Sequence, residues 1–91
     1  MANYKDLEKK IILVSGASGL LGSDFVKNFL LQKSIVVAID KNLSKSLKEF
    51  HHKNLFFAKC DITRPNDVND MVRKIFKKYK KIDVLINSAA S

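Results

Sequence analysis

The stretch Ile11-Ile12-Leu13-Val14-Ser15-Gly16-Ala17-Ser18-Gly19-Leu20-Leu21-Gly22 decides the fold. Its first four residues are apolar without a break, as expected of a strand buried on both faces of a parallel sheet. Beyond the glycines, Leu21, Phe25 and Phe29 recur at i, i+4 and i+8 with Val26 and Leu30 beside them, the stripe of an amphipathic helix. All three glycines of the chain therefore lie between a buried strand and a helix. A glycine directly after a strand allows a tight turn, and further ones let a helix pack closely on its sheet.

Outward from this unit the same alternation repeats. Ile35-Val36-Val37-Ala38-Ile39 reads as a second buried strand closed by Asp40, and Ser44 then caps a shorter helix that buries Leu47 and Phe50. Leu55-Phe56-Phe57-Ala58 makes a third strand, running out through Lys59 and Cys60 to Asp61. Thr63 and Pro65 start a third helix, whose Val68, Met71, Val72, Ile75, Phe76 and Tyr79 form a core-packing stripe. Ile82-Asp83-Val84-Leu85-Ile86 is the fourth strand, ending in Asn87-Ser88-Ala89-Ala90-Ser91. Strand and helix alternating with short connections give an α/β fold, a parallel sheet with right-handed crossovers. That is the opening half of a Rossmann-type domain.

Composition bounds what else the chain can be. Ninety-one residues make one domain at most, and 46% apolar content with six Phe argues for a packed core. No apolar run is long enough to span a bilayer, and the start Met1-Ala2-Asn3-Tyr4-Lys5-Asp6 lacks an apolar leader, so no membrane or secretory role is expected. A lone Cys60 excludes an internal disulfide and a multi-Cys zinc site, and fits the reducing cytoplasm. The net charge of +8 comes from fifteen lysines and only two arginines. Nucleic-acid binders favour arginine interleaved with aromatic residues, so a solvated lysine surface is the main reading and a nucleic-acid or acidic partner the lesser one.

The chemistry sits at the carboxyl ends of the strands. Glycines after a strand let the backbone approach a pyrophosphate, and the helix N-terminus offers unpaired N–H groups and a positive dipole to it. No Gly-Lys-Ser/Thr follows, so this is not a P-loop. Asp40 falls about where an acidic residue binds an adenosine ribose. A carboxylate there accepts from both hydroxyls and repels a 2′-phosphate, which favours NAD over NADP, although Lys41 next door is a cation of the kind that binds such a phosphate. Asp61 either accepts from the adenine amine or caps the helix that starts near Thr63. Asn87 and the small residues after it either border a flat-lying cofactor or tie neighbouring strands together, or both.

These motifs together resemble the short-chain dehydrogenase/reductase family. Ser15 to Gly22 looks like its Thr-Gly-x-x-x-Gly-x-Gly turn, Asp40 like its ribose acid, and Asp61-Ile62-Thr63 like its Asp-Val-Thr. Asp83-Val84-Leu85-Ile86-Asn87-Ser88-Ala89-Ala90 is similar to its Asp-x-Leu-Val-Asn-Asn-Ala-Gly. The resemblance covers Lys9 to Ser91 and implies strand order 3-2-1-4 with three helices. It implies a nicotinamide dinucleotide held by Ser15, Gly16, Ser18, Gly19, Leu20, Leu21 and Gly22 at the pyrophosphate and by Asp40 at the ribose. Asp61 and Ile62 would meet the adenine, and Asn87, Ser88, Ala89 and Ala90 the adjoining ribose. The intact protein would move hydride between nicotinamide and an alcohol or carbonyl substrate.

Two departures stand out. The spacing of Gly16, Gly19 and Gly22 is the one favoured by the family's extended branch of epimerases and dehydratases, whereas the Asn87 motif looks like the compact reductase branch, which we follow. The family's chemistry also depends on a Ser and a Tyr-x-x-x-Lys pair beyond the fourth strand. Here Tyr4 is followed four places on by Glu8 and Tyr79 by Asp83, so no catalytic residue is assigned and the 91-residue chain is expected to be inactive. The fourth strand reads as buried on both faces and lacks the charges that protect an edge. Residues 1–91 are therefore expected to be a partial domain, truncated after the fourth strand. Alone it would be marginal or self-associate through that edge; the intact protein would be a homo-oligomer. The rival readings are a non-catalytic NAD-binding module and a basic nucleic-acid-binding fragment.

Overall fold

A computed structural model describes residues 4–88. The apolar runs become the strands β1 (Ile11–Ser15), β2 (Ile35–Asp40), β3 (Leu55–Lys59) and β4 (Val84–Asn87). Between them lie α1 (Leu20–Leu31), α2 (Lys45–Glu49) and α3 (Pro65–Tyr79). All neighbouring strands are parallel, in the order β3-β2-β1-β4. This is the expected order and helix count. A 3₁₀ turn, Tyr4–Leu7, precedes the sheet without a signal in the sequence pattern, and the Ser34 hydroxyl holds it by donating to the Leu7 carbonyl at 2.6 Å. No helix among the described residues is long and apolar enough to cross a membrane.

Strand side chains alternate, so each strand feeds two cores. Ile12, Val14, Val36, Ala38 and Leu55 meet Val26 and Leu30 of α1 and Leu47 of α2 on one face. Ile11, Leu13, Val37 and Ile39 meet Ile75 of α3 on the other, with Cys60 among them.

Three boundary expectations need correction. The buried face of α1 is Gly22, Val26 and Leu30, one residue round from the expected stripe, while Leu21 is 60% exposed. The reason is Gly22 itself: without a side chain it lets the helix settle onto the turn after β1. Phe25 and Phe29 still pack at the flank, stacked at 6.3 Å. On α3 only Ile75 is fully buried, and Phe76, about 100° further round the helix, is 52% exposed. The fourth strand begins at Val84 instead of Ile82, because the Asp83 carboxylate takes the Ile11 N–H at 2.8 Å.

The expected burial of β4 on both faces is not met among the described residues. Val84 and Ile86 lean on the α1 core, but Leu85, in register with buried Leu13, is 63% exposed. The single helix on that face lies over the other strands.

Candidate functional site

The site forms where β1, β2 and β4 end. Gly16 turns the chain sharply after β1 at φ 69°, a left-handed conformation that favours glycine. The turn is pinned by Ala17 N–H donating to the Ile39 carbonyl (3.1 Å) and Gly19 N–H to that of Gly16 (3.1 Å). Gly22 lies in the first turn of α1, where a Cβ would run into the Gly16 carbonyl and come within 2.7 Å of the Ser88 hydroxyl. Gly19 differs from both. It caps α1 in extended backbone at φ −72°, and a Cβ there would only touch the Gly16 carbonyl at 3.4 Å.

Glycine as the cap brings no side chain to accept from the first N–H groups of α1. The N–H groups of Leu20, Leu21 and Gly22 precede the first closed helical bond, from Ser23 N–H to the Gly19 carbonyl at 2.9 Å. Leu20 and Leu21 stand exposed beside them. An acceptor-rich anion fits this end through donors and dipole alike.

Asp40 joins β2 to the glycine turn. One carboxylate oxygen accepts the Ser18 N–H at 3.0 Å, and the other accepts the Asn42 N–H at 3.4 Å. Each oxygen keeps a further lone pair, so these bonds leave capacity for two hydroxyl donors. The Ser18 hydroxyl accepts the Ser44 N–H at 2.7 Å, tying the turn to the start of α2. Neither bond was legible in the sequence, since the partners lie more than twenty positions apart.

Asp61 is drawn into a local turn. Its Oδ1 accepts both the Thr63 hydroxyl (2.6 Å) and the Thr63 N–H (3.0 Å), while its Oδ2 faces the Lys41 ammonium at 3.9 Å. The Thr63 hydroxyl, then the Thr63 N–H, then the Lys41 and Arg64 charges hold its carboxyl below the usual range. Asp61 thus closes a local turn on Thr63 and does not cap the helix as expected: α3 begins only at Pro65, and its own cap residue, Arg64, makes no side-chain capping bond. Ile62 next to it is partly exposed. Cys60 is buried, and that burial, followed by the Asp67 and Asp61 charges, raises its thiol pKa, so it stays protonated near neutrality.

At the end of β4 the strand-tying role expected of Asn87 is present. The buried Ser15 hydroxyl donates to Asn87 Oδ1 at 2.9 Å, and the Ser88 hydroxyl donates to the Ser15 carbonyl at 2.6 Å. Ser15, Gly16, Gly22, Asn87 and Ser88 therefore form one connected patch, with Asp40 linked to it through Ser18. Asp61 and Ile62 sit across the β3 end, joined by the Lys41 pair. Ala89 and Ala90 lie outside the described residues.

The chain's relatives share this arrangement of elements. The family model described as short chain dehydrogenase matches residues 10–91. Post-translational flagellin modification protein A of Campylobacter coli is 36% identical over 89 residues, covering 91% of this chain and 35% of that protein. The NAD(+) 15-hydroxyprostaglandin dehydrogenase of Bos taurus is 30% identical over 87 residues, covering 88% of this chain and 33% of the enzyme. A short chain dehydrogenase of Leptospira borgpetersenii with bound NAD+ superimposes over 100% of this chain and 35% of its own, with a TM-score of 0.87 at 24% identity, which speaks for the fold. The chain spans about a third of the length of the curated relatives it matches.

Proposed function

The chain belongs to the short-chain dehydrogenase family, and from that premise we propose that it is the dinucleotide-binding part of a nicotinamide-dependent oxidoreductase. The whole protein then acts on an alcohol or carbonyl substrate, the nicotinamide supplying or accepting the hydride. Residues 1–91 correspond to the first third of such an enzyme, and the proton-transfer groups belong to its remainder.

Gly19 carries this reading. The fold demands glycine at position 16 by conformation and at position 22 by packing, but at position 19 by neither. Bare backbone at a helix mouth, beside unpaired N–H groups, is what close approach of a pyrophosphate needs. In this reading the Ser15–Gly22 turn orients the pyrophosphate, with Ser18 linking it to the ribose acid. Asp40 accepts from the adenosine ribose hydroxyls. Asp61 and Ile62 border the adenine, and Asn87, Ser88, Ala89 and Ala90 the second ribose.

The preferred cofactor in this proposal is NAD. A 2′-phosphate would face the Asp40 carboxylate, and Lys41, the cation best placed to offset it, is drawn towards Asp61. Titration calorimetry of the full-length protein checks this. Asp40→Ala should weaken NAD binding by about 1.5–3 kcal/mol, roughly 10- to 150-fold, and relax discrimination against NADP. Unchanged affinity and preference would remove Asp40 from the site.

A further inference from the structure

The edge of the sheet farthest from β4 is β3, which has no outer neighbour in the order β3-β2-β1-β4. At its two ends Val36 N–H donates to the Asn54 carbonyl and Cys60 N–H to that of Asp40, so the even-numbered peptide groups face β2. Peptide groups alternate along a strand, which turns the N–H and C=O of Phe57 and Lys59 out of the sheet. Beside this edge α3 walls a groove of about 570 Å³, lined by Phe56, Ala58, Met71 and Ile75.

Its charged lining is asymmetric. Lys59, Lys74 and Lys78 border the groove, and none is ion-paired among the described residues. The Lys78 ammonium instead stands 4.1 Å from the Phe56 ring centre. Asp67 and Asp70 border the end nearer the start of α3, where Asp70 already has Arg73 at 3.9 Å.

We propose that this groove receives an extended acidic peptide segment of a partner protein, added as a strand beside β3. Lys74 and Lys78 are one helical turn apart, about 6 Å along the axis. Alternate side chains of an extended strand are about 6.6 Å apart. Carboxylates at positions i and i+2 therefore meet both ammonium groups, and the intervening apolar side chain falls on the face of Phe57, which is partly exposed. Asp67 and Asp70 disfavour a further carboxylate at the other end and so set the register. A second copy of the chain is a poor occupant, since it would bring its own lysine-bordered edge to this one. The net charge of +8 steers an acidic segment inwards.

The test is fluorescence anisotropy with the full-length protein and a fluorescein-labelled five-residue peptide of alternating valine and glutamate. Binding should saturate, and the double variant Lys74→Glu/Lys78→Glu should weaken it by about tenfold or more while leaving NAD affinity unchanged. Strand addition uses the peptide's own N–H groups at alternate positions only. Of two probes, N-methylated on the valines or on the glutamates, one should bind like the parent and the other not at all. No saturable binding, no effect of the charge reversals, or an equal response to both methylation patterns would overturn the proposal, the last result marking plain attraction to lysines.

Discussion

The two faces of the sheet are finished to different degrees. On the α1 and α2 side, Ile12, Val14, Val36, Ala38 and Leu55 are covered, with Phe57 at the β3 edge still partly exposed; Val26 and Leu30 press onto β1 and β2, and Gly22 brings the helix down onto the turn. On the α3 side one helix covers Leu13, Val37 and Ile39 but leaves Leu85 and Phe76 largely open and the Tyr79 hydroxyl buried without a partner among the described residues. The first face joins tight packing to the candidate site through the same glycine turn. The second carries apolar surface that asks for more cover, and the groove at its far edge. Stability, and cofactor binding as proposed, therefore draw on one face far more than on the other.

The strongest way to break that contrast is at the glycines. Gly22→Ala sets a Cβ against backbone and should cost about 3 kcal/mol or more, read as a lowered denaturant midpoint. Gly19→Ala should cost less than about 1 kcal/mol, the difference between the two as helix caps, yet weaken NAD binding. Equal losses of stability at the two positions would refute the division of labour between them.

Next come the leucines. Leu30→Ala, in the closed core, should cost about 2–5 kcal/mol, and Leu85→Ala less than about 1 kcal/mol when residues 1–91 are unfolded by urea. In the full-length protein a large cost for Leu85→Ala would mean that later elements cover β4.

A smaller gain is expected from Tyr79→Phe, which removes a buried hydroxyl lacking a partner and should raise stability by about 1 kcal/mol. Thermal unfolding of the two proteins side by side decides it, and a loss would show that the hydroxyl is bonded.

The mildest effect concerns pH. The Ile11 N–H, ahead of Lys81, holds the Asp83 carboxyl below its ordinary range in the folded chain. Its folded pKa lies below the unfolded one, so its contribution is fully present above the usual carboxylate range and lost as pH falls through the depressed value. Asp83→Asn should flatten this part of the acid-side loss in a series of melts, and an unaltered slope would assign the loss elsewhere.

Much of this was legible beforehand for particular reasons. Ile11–Val14 and Ile35–Ile39 have few alternatives to buried parallel strands, because unbroken apolar runs of that length, rich in β-branched residues, suit little else. The glycine turn stood out because three glycines fall in seven residues between a strand and a helix. Asp61 and Asn87 stayed open for an equally physical reason: a carboxylate or amide at a strand end serves a turn, a neighbouring strand or a ligand with the same atoms. The structure places Asp61 on Thr63 and Asn87 on Ser15, roles that coexist with ligand contact. The stripes on α1 and α3 were read one position too generously, since periodicity marks which residues are apolar but not which of them meet another surface.

By itself the sequence determined the alternation of strands and helices, the place of the glycine turn and the acidic residue closing the second strand, because these follow from local period and chain stiffness. Only the tertiary structure decided which glycine is steric and which is free, which side of each helix is covered, and how Asp40, Ser18 and Ser44 knit two loops together. The last depends on segments more than twenty residues apart, and the first on how closely Gly22 comes down on Gly16 once the turn is folded; no local pattern records either.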